Sequence, residues 1–372
     1  MGYIERKELY KTFEEMRQKP LITYVTSIRN NMSPPMASDA IPPIMEQINK
    51  VPQDKKDIDF LIISNGGDPI TALRIITILR ERFDKISVIV PYVAYSAATI
   101  LALGADEILM HPYSNLGPVD PQMLILKPNA FGQREQVQFS SEDIRNYIEF
   151  IRSDVGITDQ AQLITAFNSL ATDVGPINIG SSKRNQQLSL SLSTKMLETH
   201  LKDDKTKASS IAQALNIAYY HHGYAVGRKE AKEIGLNIIF PEKELEDIMW
   251  SIWLDFCDEM KCNQTFDPIS EIMNDPNAKR ILSQIPMVVL PVNTPAHLGE
   301  NIINQMALQN VRVIQQAPIE LSQTIAVIES VQMAYILNNQ LNVVYWRDAQ
   351  MALSFNCTAY SNGWEIIQNA GG

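Results

Sequence analysis

An α/β fold with a largely parallel sheet is what this sequence of 372 residues predicts, on three observations. Short β-branched apolar runs alternate with amphipathic segments of helical period. The runs are too short for helices and carry no polar alternation, as strands covered on both faces must be. A helical segment separates successive runs, and a right-handed crossover between parallel strands requires such a link.

Taken in order, residues 5–18 read as a helix and 21–26 (LITYVT) as a strand. Residues 36–51 read as a helix entered through Ser38 and Asp39, with Ile41, Ile44 and Ile48 near one face. A strand over 58–63 leads into the turn Ser64-Asn65-Gly66-Gly67. Asp68 is placed to cap the next helix, with Pro69 at its first position and Ala72, Ile75, Ile76, Leu79 and Phe83 at helical spacing. Then come a strand over 86–90, a short helix over 96–103 closed by Gly104, and a strand over 107–110. Helical patterns return from Ser140 to about 170, break over 175–180, and resume from about 183 to 200 and from 207 to 220. A short helix over 228–234 and a strand over 236–240 precede an amphipathic helix over 242–260, whose Trp250 and Trp253 read as packing residues. Beyond it, MVVLPV, VRVIQQ, TIAVIES, NVVYWR and ALSFNCTAY suggest a strand-rich region. The expected division is a main domain over 1–260 and an accessory region over 261–372.

Composition narrows the function. Lys and Arg total 32 against 42 Asp and Glu, a formal charge of -10 without a dense basic stripe. Nucleic-acid surfaces draw affinity from clustered cations, so no nucleic-acid partner is expected. Cys257, Cys262 and Cys357 lack metal-site spacing, and so few cysteines suit a reducing compartment. The N-terminal stretch is polar, and no uncharged run is long enough to span a bilayer. The expectation is a cytoplasmic protein with no integral membrane segment, metal or cofactor.

Two motifs carry chemistry. Paired glycines at 66 and 67 allow a sharp turn and close approach of a ligand, with a backbone N–H aimed at an oxyanion. An isolated diglycine is most often just a turn, and a dinucleotide site would want G-x-G-x-x-G. The second motif is Tyr95-Ser96-Ala97-Ala98 at a strand-to-helix junction. A serine there is most often an N-cap. Its alternative role is a nucleophile whose oxyanion is met by the amides that follow.

The order ISNGGDP, then YSAATILALGADEILMHP, then NLGPVDPQ, then Gly227-Arg228-Lys229-Glu230-Ala231-Lys232-Glu233-Ile234-Gly235-Leu236, resembles the signal peptide peptidase A, Clp proteolytic subunit and crotonase superfamily. Within it the chain most resembles the serine dehydrogenase proteinase family, over roughly residues 20–240. The resemblance implies a Clp-protease/crotonase-like spiral of ββα units with a helical insertion between about 140 and 225. It implies a serine peptidase with Ser96 attacking, the amides of Gly67 and Ala97 as oxyanion hole, Gly66 beside them, a polypeptide substrate and a homo-oligomer. Pyridoxal phosphate, which the family name evokes, has no phosphate-loop lysine here.

The base departs from the family pattern. The position of the Clp subunit histidine falls near Val119-Asp120, and the stretch holding the signal peptide peptidase A lysine, Val137 to Ser141, has none. His111 lies earlier and reads as structural. Lys183 and His222 remain as candidates, against the plainer readings of a solvent-facing lysine and a turn histidine. Asp120, between two prolines in GPVDPQ, is either a turn former or a residue orienting base or substrate. Two rival functions share the fold: a non-catalytic scaffold, and a crotonase-like acyl-thioester enzyme that holds an enolate with the same amides and needs no serine.

Overall fold

The computed structural model describes residues 2–129, 132–217, 223–282, 295, 301, 305, 318–347 and 353–367. The chain opens with α1 (Tyr3–Arg17) and β1 (Leu21–Thr26), then α2 (Ile41–Lys50), β2 (Asp57–Ile63) and α3 (Pro69–Arg82). Next are β3 (Lys85–Val90), β4 (Val93–Ala94), α4 (Ala97–Leu103), β5 (Glu107–Met110) and β6 (Asn115–Leu116). A hairpin, β7 (Gln122–Pro128) and β8 (Arg134–Ser140), leads into α5 (Ser141–Ser153), α6 (Gln160–Val174), α7 (Pro176–Glu198) and α8 (Lys205–Ile217). β9 (Val226–Gly227), α9 (Arg228–Glu233), β10 (Ile238–Ile239) and α10 (Lys243–Glu259) complete the expected core. The C-terminal part adds α11 (Pro268–Asn274), α12 (Pro276–Leu282), β11 (Ile319–Glu329), β12 (Ala334–Arg347), β13 (Leu353–Tyr360) and β14 (Trp364–Ile367).

Among the described residues, the main sheet runs β10-β5-β3-β2-β1-β11-β12-β13, with β14 also on β12. From β10 to β1 every pairing is parallel, and from β11 onward every pairing is antiparallel. A small second sheet, β4-β6-β9, stands at the C-terminal ends of the parallel strands. The fold is therefore α/β, with helices α5 to α8 inserted between β8 and β9 and a strand-rich C-terminal region.

Strand alternation divides the core in two. Ile22, Tyr24, Phe60, Ile62, Val88 and Val90 face α2, α3, α4, α7 and α8. Leu21, Val25, Leu61, Ile63 and Ile89 face α1 and α10. On that second face Arg6 is fully buried, with bonds of 3.0 and 2.7 Å to both carboxylate oxygens of Glu329, and Tyr10 donates to Glu329 at 2.7 Å. Asp255 and Glu259 of α10 also pair with Arg6.

The structure departs from the pattern reading in three places. The break is at Gly175 alone, and α7 runs from Pro176 straight through Gly180. A helix interior tolerates one glycine at about 1 kcal/mol. Residues 122–140 form a hairpin where no strands were expected, because Leu124 and Leu126 of its apolar run face outward. The sheet also continues past residue 260, since β11 pairs with β1 in the register Thr23↔Glu329 to Thr26↔Ala326. The segments MVVLPV and VRVIQQ lie outside the described residues.

Candidate active site

β2 ends in a corner that Ser64 holds in place. Its backbone bonds to Val93 and Tyr95 on β4 and beyond, and its hydroxyl accepts from Gly66 N–H at 3.0 Å and from Thr26 at 2.8 Å. Gly66 and Gly67 follow at φ +101° and +149°, conformations that favour glycine. Asp68 then caps α3, its carboxylate accepting from Ile70 and Thr71 amides, with Pro69 in the first turn as expected.

The same corner meets Ser96. A β-carbon on Gly67 would fall 2.3 Å from Met36 N, because Met36 bridges the turn: its N–H donates to Gly66 O at 2.7 Å, and Asp68 N–H donates to its carbonyl at 2.9 Å. Extended backbone alternates its polar groups, so with Gly66 O and Asp68 N turned to Met36 the Gly67 N–H points away from it. Among the described residues no bond consumes that N–H, nor the N–H of Ala97.

Ser96 occupies the N-cap position of α4 but does not act as a cap, its hydroxyl bonding to no helix amide. Its backbone lies at φ 51°, ψ -115°, well outside the regions open to non-glycine residues. Thr99 braces the bend from inside, donating to Ala94 O at 2.7 Å and accepting from Gly117 N–H at 3.2 Å.

A cleft of about 480 Å³ opens over Ser96. Gly67 and Asp68 form one side, Ile100 and Val119 the floor, and Asn185, Leu188 and Ser189 of α7 the far wall. Pro121 and Gln122 border it, and Asp120 just before them accepts from the Gln122 side-chain amide at 2.8 Å. Ser189, buried, donates to Val119 O at 2.7 Å and lies 2.8 Å from Asn216 Oδ1, while Val119 N–H donates to Leu215 O. This buried network fixes the floor to α7 and α8. Sequence reasoning missed Ser64, Thr99, Ser189 and Asn216; the spacing of Ser182, Ser189 and Ser193 along one buried side of α7 was the available signal.

Of the base candidates within the described residues, Lys183 does not line the cleft of Ser96. Lys183 had been expected to reach Ser96 if its helix folded back over the site. The helix does fold back, but it turns Asn185, Leu188 and Ser189 to the cleft, and Lys183 lines a different cavity against α5. His222 lies outside the described residues. His111 is on the opposite face of the sheet, stacked on Trp250 at 4.9 Å, its Nδ1 accepting from Tyr113 N–H. Burial pushes its pKa below the usual 6.5. Among the described residues that line the cleft, Asp68 is the one ionisable side chain.

Comparison with known proteins finds a family match over part of the chain. Residues 36–155 match the family described as ClpP-like SDH-type serine proteinases. Two uncharacterized proteins of Methanocaldococcus jannaschii are similar. One is 29% identical over 197 residues, which is 52% of this chain and 57% of that protein. The other is 39% identical over 80 residues, 22% of this chain and 27% of that protein. The chain thus spans little more than half of the first relative's length. Similar solved structures include a serine-to-alanine mutant of the 1510-N membrane-bound stomatin-specific protease, at 16% identity and TM-score 0.33, covering 62% of this chain and 84% of that one. A lysine-to-alanine mutant of the same protease, in complex with a substrate peptide, matches at 15% identity and TM-score 0.34, covering 61% and 78%. No helix among the described residues is long and apolar enough to cross a membrane.

Proposed function

We propose that the protein is a serine peptidase working through an acyl-enzyme on Ser96, a reading that starts from the match of residues 36–155 to the ClpP-like SDH-type serine proteinases. The observation that carries this reading is that Ser96 caps no helix amide and lines one cleft with Gly67, while among the described residues the amides of Gly67 and of the adjoining Ala97 are unbonded. Ser96 Oγ attacks the scissile carbonyl carbon and its proton passes to a base. The carbonyl electron pair moves onto oxygen, where the Gly67 and Ala97 amides meet it; each such donor is typically worth about 3 kcal/mol. Collapse expels the amine, which takes the proton, and water then releases the acyl group by the same steps in reverse order.

For the base we take His222. His222 follows α8 closely in sequence, and Leu215 of that helix accepts from Val119 N–H at the cleft. The substrate is a polypeptide. Phe150, Ile164, Phe167 and Ile177, exposed along α5 to α7, favour self-association into a homo-oligomer.

A fluorophosphonate probe tests the reading: labelling is expected on wild type, absent in Ser96→Ala and strongly reduced in His222→Gln. A second reading, a scaffold on the same fold, is favoured by the cleft lining itself, which offers no lysine or histidine among the described residues. Wild-type protein that resists the probe selects the scaffold. A crotonase-like enzyme would keep its turnover in Ser96→Ala.

A further inference from the structure

Helix α7 separates two cavities. One face lines the Ser96 cleft; the other, through Ile179, Lys183 and Gln186, lines a groove of about 600 Å³ against α5. That volume lies in the range of dedicated binding sites, roughly 300–1,000 Å³. Its floor is aliphatic, with half-buried Ile144, Ile148 and Ile179, and its rim carries Arg145, Glu149, Arg152 and Lys183. Arg145 is paired with Glu142. Among the described residues Arg152 and Lys183 have no carboxylate partner and Glu149 no cationic one, so the rim carries one net positive charge beside an apolar trough on a chain of formal charge -10.

We infer that this groove holds the carboxyl-terminal end of a polypeptide substrate, its last aliphatic side chains on Ile144, Ile148 and Ile179 and its α-carboxylate on Arg152 and Lys183. Arg152 stands seven positions after Arg145, and at about 1.5 Å rise each this is ~10 Å, the length of about three extended residues. The occupant is a chain end rather than an internal segment because the groove's free charge is positive and sits beside apolar surface. An apolar stretch with a terminal carboxylate complements both, whereas an internal apolar stretch leaves the cations unmatched. The inference rests on the peptidase reading, since it is the shared wall α7 that makes the occupant a substrate. A helix is about 10–12 Å across, so about four further extended residues cross α7 into the cleft. Cleavage is then expected about seven residues from the carboxyl end.

The test uses a fluorescein-labelled peptide ending in three aliphatic residues, made with a free carboxylate and with a terminal amide. Fluorescence anisotropy on full-length Ser96→Ala protein reads binding without turnover. The free carboxylate is expected to bind about five- to tenfold more tightly than the amide, as charge-assisted bonds predict. Arg152→Gln and Lys183→Gln should each erase that difference and leave amide binding unchanged. Equal binding of the two peptides, or an intact difference in Arg152→Gln, overturns the inference. Displacement of the peptide by laurate at similar affinity overturns its assignment to polypeptides. Fluorophosphonate labelling of the same preparations is a separate readout: its failure in wild type refutes the peptidase and leaves the binding result standing. Lost labelling in Lys183→Gln with full labelling in Arg152→Gln would return Lys183 to the reaction and overturn its role as an anchor.

Discussion

Gly66 presses directly on Ser96: a β-carbon on the glycine would lie 2.8 Å from the serine β-carbon and 2.6 Å from the Tyr95 carbonyl oxygen. Both contacts are closer than side chains allow, and the glycine is at φ +101°. Gly66→Ala is expected to destabilise the fold by about 2 kcal/mol or more. It should also lower the rate of fluorophosphonate labelling by about 100-fold, since small misplacements of a nucleophile are that costly. Urea denaturation and labelling kinetics check the two effects separately, and a labelling rate equal to wild type would show that the contact does not position Ser96.

Ser96 holds a backbone conformation that glycine adopts freely. Strain of this kind costs about 1–3 kcal/mol, partly offset by the extra unfolded-state freedom of a glycine. Ser96→Gly is therefore expected to gain about 1 kcal/mol in denaturant unfolding while losing all labelling. A stability loss would mean that the hydroxyl, not the bend, dominates at this position.

Ser189 reaches the cleft floor from α7 through Val119 O. Ser189→Ala leaves a buried carbonyl and Asn216 short of a partner, at a cost of about 1–3 kcal/mol. With the floor released, peptide hydrolysis should slow through kcat more than through KM. Ser189→Thr, which keeps the hydroxyl, should restore much of both.

Acid stability depends on the N-terminal ends of the strands. Burial opposes the charge on Glu107, but hydrogen bonds from Arg17 and Ser87, with Lys19 nearby, outweigh it and carry its pKa from the usual 4.5 to about 2. A carboxylate lowered on folding adds stability that is full above pH 4.5 and disappears as pH falls toward 2. Asp59, which shares Arg17, is shifted the opposite way by its deeper burial. Glu107→Gln should therefore flatten the decline in unfolding free energy between pH 4.5 and 2, a difference that Asp59 does not supply. Parallel wild-type and variant curves across that window would refute the assignment.

Much of the frame was legible because its signals are local. The Asp68-Pro69 start of α3 and the Ser140 start of α5 are side-chain-to-backbone bonds spanning three residues, and both are present. The buried parallel strands followed from β-branched runs, and Ser96 and the diglycine from their places after two of them. What escaped depends on distance in sequence. Nothing near Lys183 tells which side of α7 meets the cleft; that is set by Ser189 finding Val119, 70 residues away. The β1–β11 pairing likewise joins residues about 300 apart, and an apolar strand does not name its neighbour.

That pairing decides what could be cut from this protein. β1 carries β2 on one edge and β11 on the other, and Glu329 from β11 is clasped by Arg6 from the first helix. A shortened chain ending at residue 260 would strip one edge of β1, the outermost of the parallel strands, and leave a guanidinium inside α1's packing without its bidentate partner. Such a fragment should collect in inclusion bodies, and a minimal soluble version of this protein must keep residues on both sides of that join.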